Sequence, residues 1–451
     1  MKLVVPIYFL IYFLFSQDTL VIIENQIITK NDFIKRSEYT IRPTYCNSDK
    51  NLDKKIILNS LIAEKLLAIK NKDEFDIDET NLIQGIKEQA MRKVMLENTV
   101  NSSLVIDENK ILDLLNKSLY DYKIDFITIN HNEIFLVNQD LNLNKSYKEI
   151  IKNLKHRNNQ KYIKFEEISY DDIYQEFYTS DINVGDIIGP IKTLNDNYIL
   201  INVLSKKKNI LIDTESQKNQ YENVKSYLIK SESYKIRKNY IQKIMKGKTI
   251  EFNENSFFNL ADYFYDQEKK PIKTDDIIFT LANRDWSIED LIEINKLNPV
   301  LFREPYKNKN EFYNQFKLSL VDLIQNYFLT KKAYELNLSS HPAVVKEGEI
   351  WSSYLSANSE KDKIINANQS LLKNLNTEYE VLEKILNKEL EILFVENSDK
   401  ILIDVEMFNG IKLSNIDMLV INTNQPYQLN VPPFPRLTTK NNLDYGTKKD
   451  S

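Results

Sequence analysis

The segment from Val184 to Leu204 constrains the fold of this chain more than any other. It contains two glycines and a proline, in Val184-Gly185-Asp186-Ile187-Ile188-Gly189-Pro190-Ile191, and it continues into the apolar run Tyr198–Leu204. Only seven glycines occur in 451 residues, so Gly185 and Gly189 indicate a backbone requirement rather than a general composition. The pattern predicts a tight turn between two strands.

This segment resembles the closing part of parvulin-type prolyl isomerase domains. In that family a valine-glycine-acid-x-x-glycine-proline turn precedes a strand with glycine, tyrosine, histidine and isoleucine. Here Asn197 takes the glycine position of that strand and Ile199 takes the histidine position. The resemblance implies a small parvulin-like α/β domain at residues 121–208.

The same resemblance bears on catalysis, because parvulin domains place one histidine in the first strand and another in the last, beneath a groove for the substrate proline. The first strand is predicted at Tyr122–Ile129, where Asp125 takes the histidine position. The family's glycine-rich inner loop is also missing, since Gln160–Ser180 contains no glycine. The groove-equivalent candidates are Asp125, Tyr198 and Ile199, and we expect weak or lost isomerase activity. An active isomerase stays an alternative.

A second pattern occurs twice and predicts an internal duplication. After the apolar run that begins at Leu20, Thr29 is suited to cap a helix, with Asp32 three residues later as the second half of a capping box. Ser287 and Asp290 repeat this device 258 residues later (287 − 29 = 258). Apolar residues flank both caps, and leucine-rich helical patterns follow both. Residues Ile250–Leu260 and Ile401–Ile411, each after a long helical stretch, also correspond.

The order of these modules resembles SurA-like and PrsA-like exported foldases. The fold class implied is α+β, with mainly helical chaperone modules, duplicated, and an inserted parvulin-like domain. The predicted segments are a signal peptide (1–16), a first helical module (17–120), the degenerate parvulin-like domain (121–208), a long helix and short strand returning to the first module (209–265), a second helical module (272–425) and a flexible tail with prolines (426–451).

The N-terminus and the cysteine content predict an exported protein. Lys2, the apolar run Leu3–Phe15 and Ser16 are typical of a secretory signal peptide, with an uncleaved membrane anchor facing the periplasm as the alternative. The run is short for a bilayer span, so we expect no stable span after cleavage. Cys46 is the only cysteine, which excludes an internal disulfide and a cysteine metal site. A periplasmic location fits these features.

The sequence offers little for other chemistries. Charge is nearly balanced at −5 without a basic stripe, which argues against nucleic acid as a partner. The three histidines, His131, His156 and His341, stand in polar surroundings and predict no metal site, and we expect no cofactor. His131 follows the first strand of the parvulin-like region and is a candidate displaced catalytic group or a solvated loop residue.

We therefore expect a chaperone or foldase that holds unfolded or extended polypeptides, by resemblance outer-membrane or secreted proteins. Candidate client-binding residues are Phe126, Trp286 and Trp351, although both tryptophans also suit core positions. A structural or assembly subunit of an envelope complex is the remaining alternative. It predicts one stable partner and little affinity for unfolded chains.

Overall fold

A computed structural model of the chain describes residues 18–39, 51–71, 73–154, 158–193, 197–210, 213–265, 271–413 and 436–449. The predicted signal peptide, Cys46, His156 and the first part of the predicted tail lie outside these residues. The described residues form a mixed α+β structure in which helix predominates, as the sequence predicts.

The helices of the described residues are listed here in chain order: α1 (Lys30–Tyr39), α2 (Asn51–Lys70), α3 (Ile77–Ser103), α4 (Glu108–Ser118), α5 (Ile134–Asn142), α6 (Tyr147–Leu154), α7 (Glu176–Thr179), α8 (Thr214–Met245), α9 (Glu254–Tyr265), α10 (Ile288–Leu297), α11 (Lys309–Glu335), α12 (Pro342–Ala367), α13 (Gln369–Leu372), α14 (Glu378–Val381), α15 (Asn387–Glu396) and α16 (Val405–Gly410). A π-helical turn, Leu382–Leu386, joins α14 to α15.

The strands of the described residues are β1 (Thr19–Ile23), β2 (Gln26–Thr29), β3 (Tyr120–Ile129), β4 (Asn159–Ile163), β5 (Ile187–Lys192), β6 (Tyr198–Lys208), β7 (Ile277–Leu281), β8 (Arg284–Ser287), β9 (Ile401–Ile403) and β10 (Thr447–Lys448). They form two four-stranded sheets, ordered β10-β9-β1-β2 and β4-β3-β6-β5, and the hairpin β7-β8.

The chain divides into two compact units. One unit comprises residues 1–95 and 244–451, and the other comprises residues 96–243. The second unit is thus inserted into the first in the sequence, and it extends beyond residues 121–208 on both sides. The reason is packing: Ile111 and Leu114 of α4 and Val224 of α8 belong to the same apolar cluster as the sheet residues of the inserted unit.

The inserted unit is built on the antiparallel sheet β4-β3-β6-β5, whose central neighbours β3 and β6 are its first and last strands. Side chains alternate between the two faces. One face packs on α4, α7 and α8, and the other packs on α5 and α6. The predicted turn lies before and within β5, where Gly185 (φ +93°) and Gly189 (φ +106°) both have positive φ. The expected backbone requirement for glycine is confirmed.

Two hairpin–helix arrangements in the larger unit confirm the predicted caps. In the first, Thr29 N donates to Asp32 Oδ2 at 2.9 Å and Asp32 N donates to Thr29 Oγ1 at 3.1 Å. In the second, Ser287 N donates to Asp290 Oδ2 at 3.0 Å and Asp290 N donates to Ser287 Oγ at 3.2 Å. Each capping box satisfies two backbone N–H groups at the start of a helix, α1 in one case and α10 in the other.

Each hairpin–helix arrangement is completed by a further segment of the chain. We expected the strand and helix within residues 209–265 to return to the first module. Instead, Asn253 N donates to Ile278 O at 2.8 Å, and α9 packs in one cluster with the second hairpin. The first hairpin pairs through β1 with β9, and the residues of β9 and α16 complete its core. Residues 250–260 therefore pack with the second hairpin, and residues 401–411 pack with the first.

The end of the chain also departs from the prediction. Residues 426–451 were expected to be a flexible tail, but residues 436–449 are packed, with Leu437, Thr438 and Tyr445 buried. β10 adds to β9 in parallel. The polar backbone of this segment is satisfied by side chains of the unit, and so a segment with few apolar residues is nonetheless held in place.

Candidate functional site

The predicted isomerase groove is not assembled in the inserted unit. Asp125 lies on the same face of β3 as Ile127 and Ile129, and this face packs on α5 and α6. Ile199 belongs to the cluster on the opposite face, with Ile201 and Val203. A single groove cannot use two side chains from opposite faces of one sheet, so Asp125 and Ile199 do not form a common site.

Asp125 has a buried environment of its own. Its Oδ1 and the hydroxyl of Tyr147 on α6 are both buried, and neither atom has a hydrogen-bond partner among the described residues. Burial raises the pKa of Tyr147, and the nearby carboxylate of Asp125 raises it further. The Tyr147 phenol therefore stays neutral.

The other candidates from the inserted unit lie near its surface. Tyr198 starts β6, and its ring lies 6.2 Å from the ring of His131 at the end of β3. Phe126 is half-buried on the opposite face, 6.5 Å from the ring of Tyr174. The structure thus brings Tyr198 to His131 but brings neither of them to Phe126 or Ile199.

Both tryptophans are core residues rather than surface groups. Trp286 is 1% exposed, and Trp351 is 2% exposed. The Trp286 ring stacks on Phe279 at 5.7 Å and meets Tyr327 edge-on at 4.8 Å. Their expected role in client binding is therefore wrong for the folded protein, because neither ring is accessible to a partner.

A groove between α9 and α11 of the larger unit exposes aromatic surface instead. Its volume is about 370 Å³, which lies in the range of ligand-binding pockets. We call it the aromatic groove, and the residues that define it are Phe252, Glu254, Phe257, Phe258, Asn310, Tyr313, Asn314 and Lys317. Phe258 is 43% exposed, so its ring is accessible while Phe257 beneath it is buried.

Helical spacing places residues of the groove and their neighbours in two facing stripes. On α9, Phe258, Asp262 and Tyr265 follow at i, i+4 and i+7 and share one face. On α11, Lys309, Tyr313 and Lys317 follow at i, i+4 and i+8. The stripes meet where the rings of Phe258 and Tyr313 lie 5.0 Å apart, edge to face.

A hydrogen-bonded triad fixes the two stripes. Tyr313 donates its hydroxyl proton to Asp262 Oδ1 at 2.6 Å, and Lys309 Nζ lies 2.8 Å from the same oxygen. The pKa of Lys309 is raised, mainly by its hydrogen bond to Asp262, and burial followed by the same carboxylate raises the pKa of Tyr313. The triad thus keeps a cationic amine and a neutral phenol beside the exposed rings.

Aromatic surface continues beyond the groove. Tyr265 and Tyr306 are both exposed, their rings lie 6.4 Å apart, and both pack on the buried ring of Phe312 at 5.0 Å. Rings that are anchored on one side and open on the other offer contact area with little conformational entropy to lose on binding.

Sequence analysis did not identify this groove. The available signal was the helical spacing of Phe258 with Tyr265 and of Lys309 with Tyr313, which marks two aromatic faces that are not needed for the core stripe of Phe257 and Leu260.

A second pocket in the larger unit contains buried charges. Its cavity volume is about 80 Å³, and it is lined by α1, α2 and α12. Arg36 and Glu64, both buried, form an ion pair. Lys65 Nζ donates to Ser353 Oγ at 3.0 Å, and burial, followed by the positive charge of Arg36, lowers the pKa of Lys65 to about 8. The cavity is too small for a polypeptide segment, so we treat it as an electrostatic feature of the core.

The described residues contain no cluster of three or more histidine, cysteine, aspartate or glutamate side chains suited to hold a metal ion. None of the described helices combines the length and apolar character needed to cross a bilayer. Comparison with protein-family models, with curated proteins and with solved structures found no match for this chain.

Proposed function

We propose that this protein is an exported chaperone that holds unfolded polypeptides, with outer-membrane or secreted proteins in transit as its clients. The observation that carries the proposal is the aromatic groove, where the exposed ring of Phe258 and the half-buried ring of Tyr313, on two facing helices, border a volume of about 370 Å³. Exposed apolar surface of this kind marks interaction sites on folded proteins. Many weak aromatic contacts permit different client sequences to bind.

We propose that the inserted unit is related to parvulin domains but has no isomerase chemistry. Its first and last strands are central neighbours, as expected of a domain in which these two strands carry the paired histidines. The positions of those histidines hold Asp125 and Ile199, whose side chains point to opposite faces. We propose that this unit serves as a docking or spacer element.

The chaperone role is tested by light scattering during dilution of a urea-unfolded outer-membrane β-barrel protein. Protein from Gln17 onward should suppress aggregation at roughly equimolar ratio. The groove variant Phe258→Ser/Tyr265→Ser, which removes one ring of the groove and one ring of the exposed aromatic surface next to it, should lose most of this protection. Tyr379→Ser is the matched control, since Tyr379 is 58% exposed in the same unit and is not part of the aromatic groove. Equal protection by the groove variant and the control would reject the aromatic groove as the client site.

Isomerase activity is tested separately by exchange NMR on an alanine-proline peptide. The expected result is no acceleration of cis–trans exchange above background. Acceleration that is lost in His131→Ala or Tyr198→Phe would instead assign catalysis to His131 and Tyr198, which lie after the end of β3 and at the start of β6.

A further inference from the structure

The C-terminal segment 436–449 lies in a groove of the larger unit formed by α2, α15 and β9. Asn59 of α2 is fully buried and contacts the segment through both the nitrogen and the oxygen of its side-chain amide. Its Nδ2 donates to Lys440 O at 2.9 Å and to Asn442 O at 2.8 Å. Its Oδ1 accepts the hydroxyl proton of Tyr445 at 2.5 Å. One side chain thus holds two backbone carbonyls and one anchoring residue.

Further polar side chains hold the same segment at its two ends. Ser60 Oγ accepts from Leu437 N at 3.2 Å, and Ser398 Oγ accepts from Gly446 N at 2.9 Å. Asn387 accepts from Thr438 Oγ1 at 2.6 Å and donates to Thr439 Oγ1 at 2.7 Å. The bonds from Asn59 and Ser60 reach main-chain groups that any residue offers, whereas the bond from Ser398 reaches Gly446, whose φ of +74° favours glycine.

Side chains of the segment fill two apolar sockets. Leu437 is buried in the core cluster of the first hairpin. Tyr445 stacks on Phe394, with ring centroids 4.2 Å apart and nearly parallel planes. Beyond Tyr445 the chain adds to β9 as the parallel strand β10. Backbone clamps, side-chain sockets and strand addition are the features by which proteins bind extended peptides.

Charge adds a preference at the rim of this groove. Lys440 pairs with Glu391 of α15, and Lys449 Nζ lies 2.9 Å from Asp404 Oδ2. Thr439 donates its hydroxyl proton to Glu383. The groove therefore presents three carboxylates to the occupant, which favours a basic segment.

The composition of the groove distinguishes it from an ordinary core. Asn59, Ser60 and Asn387 face inward from helices, where apolar residues would pack without needing partners. Buried amides and hydroxyls are satisfied while an extended backbone occupies the groove, and water can satisfy them when it is empty. Such a lining suits a surface that is alternately occupied and hydrated.

We propose that this groove is a second polypeptide-binding site and that residues 436–449 are its resident occupant. The site accepts a basic segment in which an apolar residue precedes an aromatic residue by eight positions (445 − 437 = 8) and glycine follows the aromatic residue. The C-terminal segment competes with client chains and yields the groove to them. This inference deepens the proposed function, on which its reference to clients rests.

The test uses a fluorescent synthetic peptide of residues 436–449 and two forms of the protein, the full chain and a chain ending at 425. Fluorescence anisotropy should show saturable binding to the shortened chain, at least tenfold tighter than to the full chain. A Tyr445→Ala peptide and the groove variant Asn59→Ala should each weaken binding at least tenfold. A scrambled peptide that binds equally well would overturn the proposal.

A second variant covers the case in which the shortened chain does not fold. The full chain with Leu437→Ala and Tyr445→Ala keeps its length but weakens the resident segment, and it should bind the wild-type peptide. If circular dichroism shows that this chain is also unfolded, residues 436–449 are an integral part of the core and the proposal fails. Dimerisation of the full chain without peptide binding, seen by light scattering, would identify exchange between copies instead. Aggregation of a client plays no part in this test, so its outcome is independent of the chaperone assay.

Discussion

The ring of Phe33 packs edge-on against the ring of Phe408, with ring centroids 5.7 Å apart. Phe33 lies in α1, directly after the first hairpin, and Phe408 lies in α16 near the end of the chain. Both side chains are fully buried. The core of the first hairpin therefore forms only when residues from the two ends of the chain meet.

Phe408→Ala should destabilise the larger unit by about 3–5 kcal/mol, because it removes a buried ring and leaves a cavity. The two tryptophans, Trp286 and Trp351, both belong to this unit, so tryptophan fluorescence during urea unfolding reports on it selectively. Tyr379→Ala, at an exposed position, should change stability by no more than about 0.5 kcal/mol. Equal urea midpoints for the two variants would contradict the packing of Phe408 in the core of the first hairpin.

The sequence predicted the local devices of this fold correctly. The capping boxes at Thr29 and Ser287 and the turn glycines at 185 and 189 each depend on residues close together in the chain. The partners of the closing segments were not predictable in the same way. Phe252, Phe257 and Leu260 repeat the apolar spacing of Ile403, Phe408 and Ile411, so the pattern alone fits either hairpin.

The candidate sites show the same limit. Large aromatic residues such as Trp286 and Trp351 contribute most when buried, and in this fold they fill the core. Phe258 and Tyr313 come into contact only when α9 and α11 come together, which no local pattern specifies. The composition of residues 436–449 predicts a segment too polar to pack. Their anchoring depends on Asn59, which is far away in the sequence, so the sequence pattern of the segment does not show it.

Gly185 and Gly189 offer a matched pair of substitutions. Alanine at either position meets the positive φ, which costs roughly 1–2 kcal/mol. At Gly189 the added Cβ would also lie 2.6 Å from the carbonyl oxygen of Ile199, whereas at Gly185 it meets no atom within 4 Å. Gly189→Ala should therefore destabilise the inserted unit clearly more than Gly185→Ala.

Amide hydrogen exchange in β5 and β6 measures this difference, because these strands report on the inserted unit directly. Protection should fall further in Gly189→Ala than in Gly185→Ala. A larger loss of protection in Gly185→Ala would show that the close approach to Ile199 does not constrain the turn.

The buried pair Arg36 and Glu64 should respond differently to single and double replacement. Glu64→Ala leaves the guanidinium of Arg36 buried without its carboxylate and should cost about 3–5 kcal/mol. Glu64 Oε1 has no hydrogen-bond partner among the described residues, so desolvation of the pair is incompletely compensated. The double variant Arg36→Met/Glu64→Leu should therefore recover most of the loss. Urea unfolding followed by tryptophan fluorescence measures the stability of the three proteins. A double variant as unstable as Glu64→Ala would show that the ion pair itself is stabilising.

Lys65 gives the larger unit a pH dependence whose sign follows from its pKa. In the folded protein this pKa is lowered to about 8, first by burial and then by Arg36, whereas in the unfolded chain it is near 10.4. Below pH 8 the amine is charged in both states, and the folded state carries the full cost of burying that charge. Between pH 8 and 10.4 the unfolded chain binds more protons, so this contribution to stability increases as the pH rises.

Lys65→Met removes the buried charge and should stabilise the larger unit at pH 7 by about 1–3 kcal/mol, since each pKa unit corresponds to about 1.4 kcal/mol and the lost hydrogen bond to Ser353 offsets part of the gain. The advantage of the variant should shrink as the pH is raised from 8 to 10, because the wild-type amine is then neutral in the folded state. Urea midpoints at pH 7, 8, 9 and 10 measure it, with the exposed Lys373→Met as the control that should show no such trend. A constant difference between Lys65→Met and wild type across this range would mean that Lys65 remains charged and well solvated in its pocket.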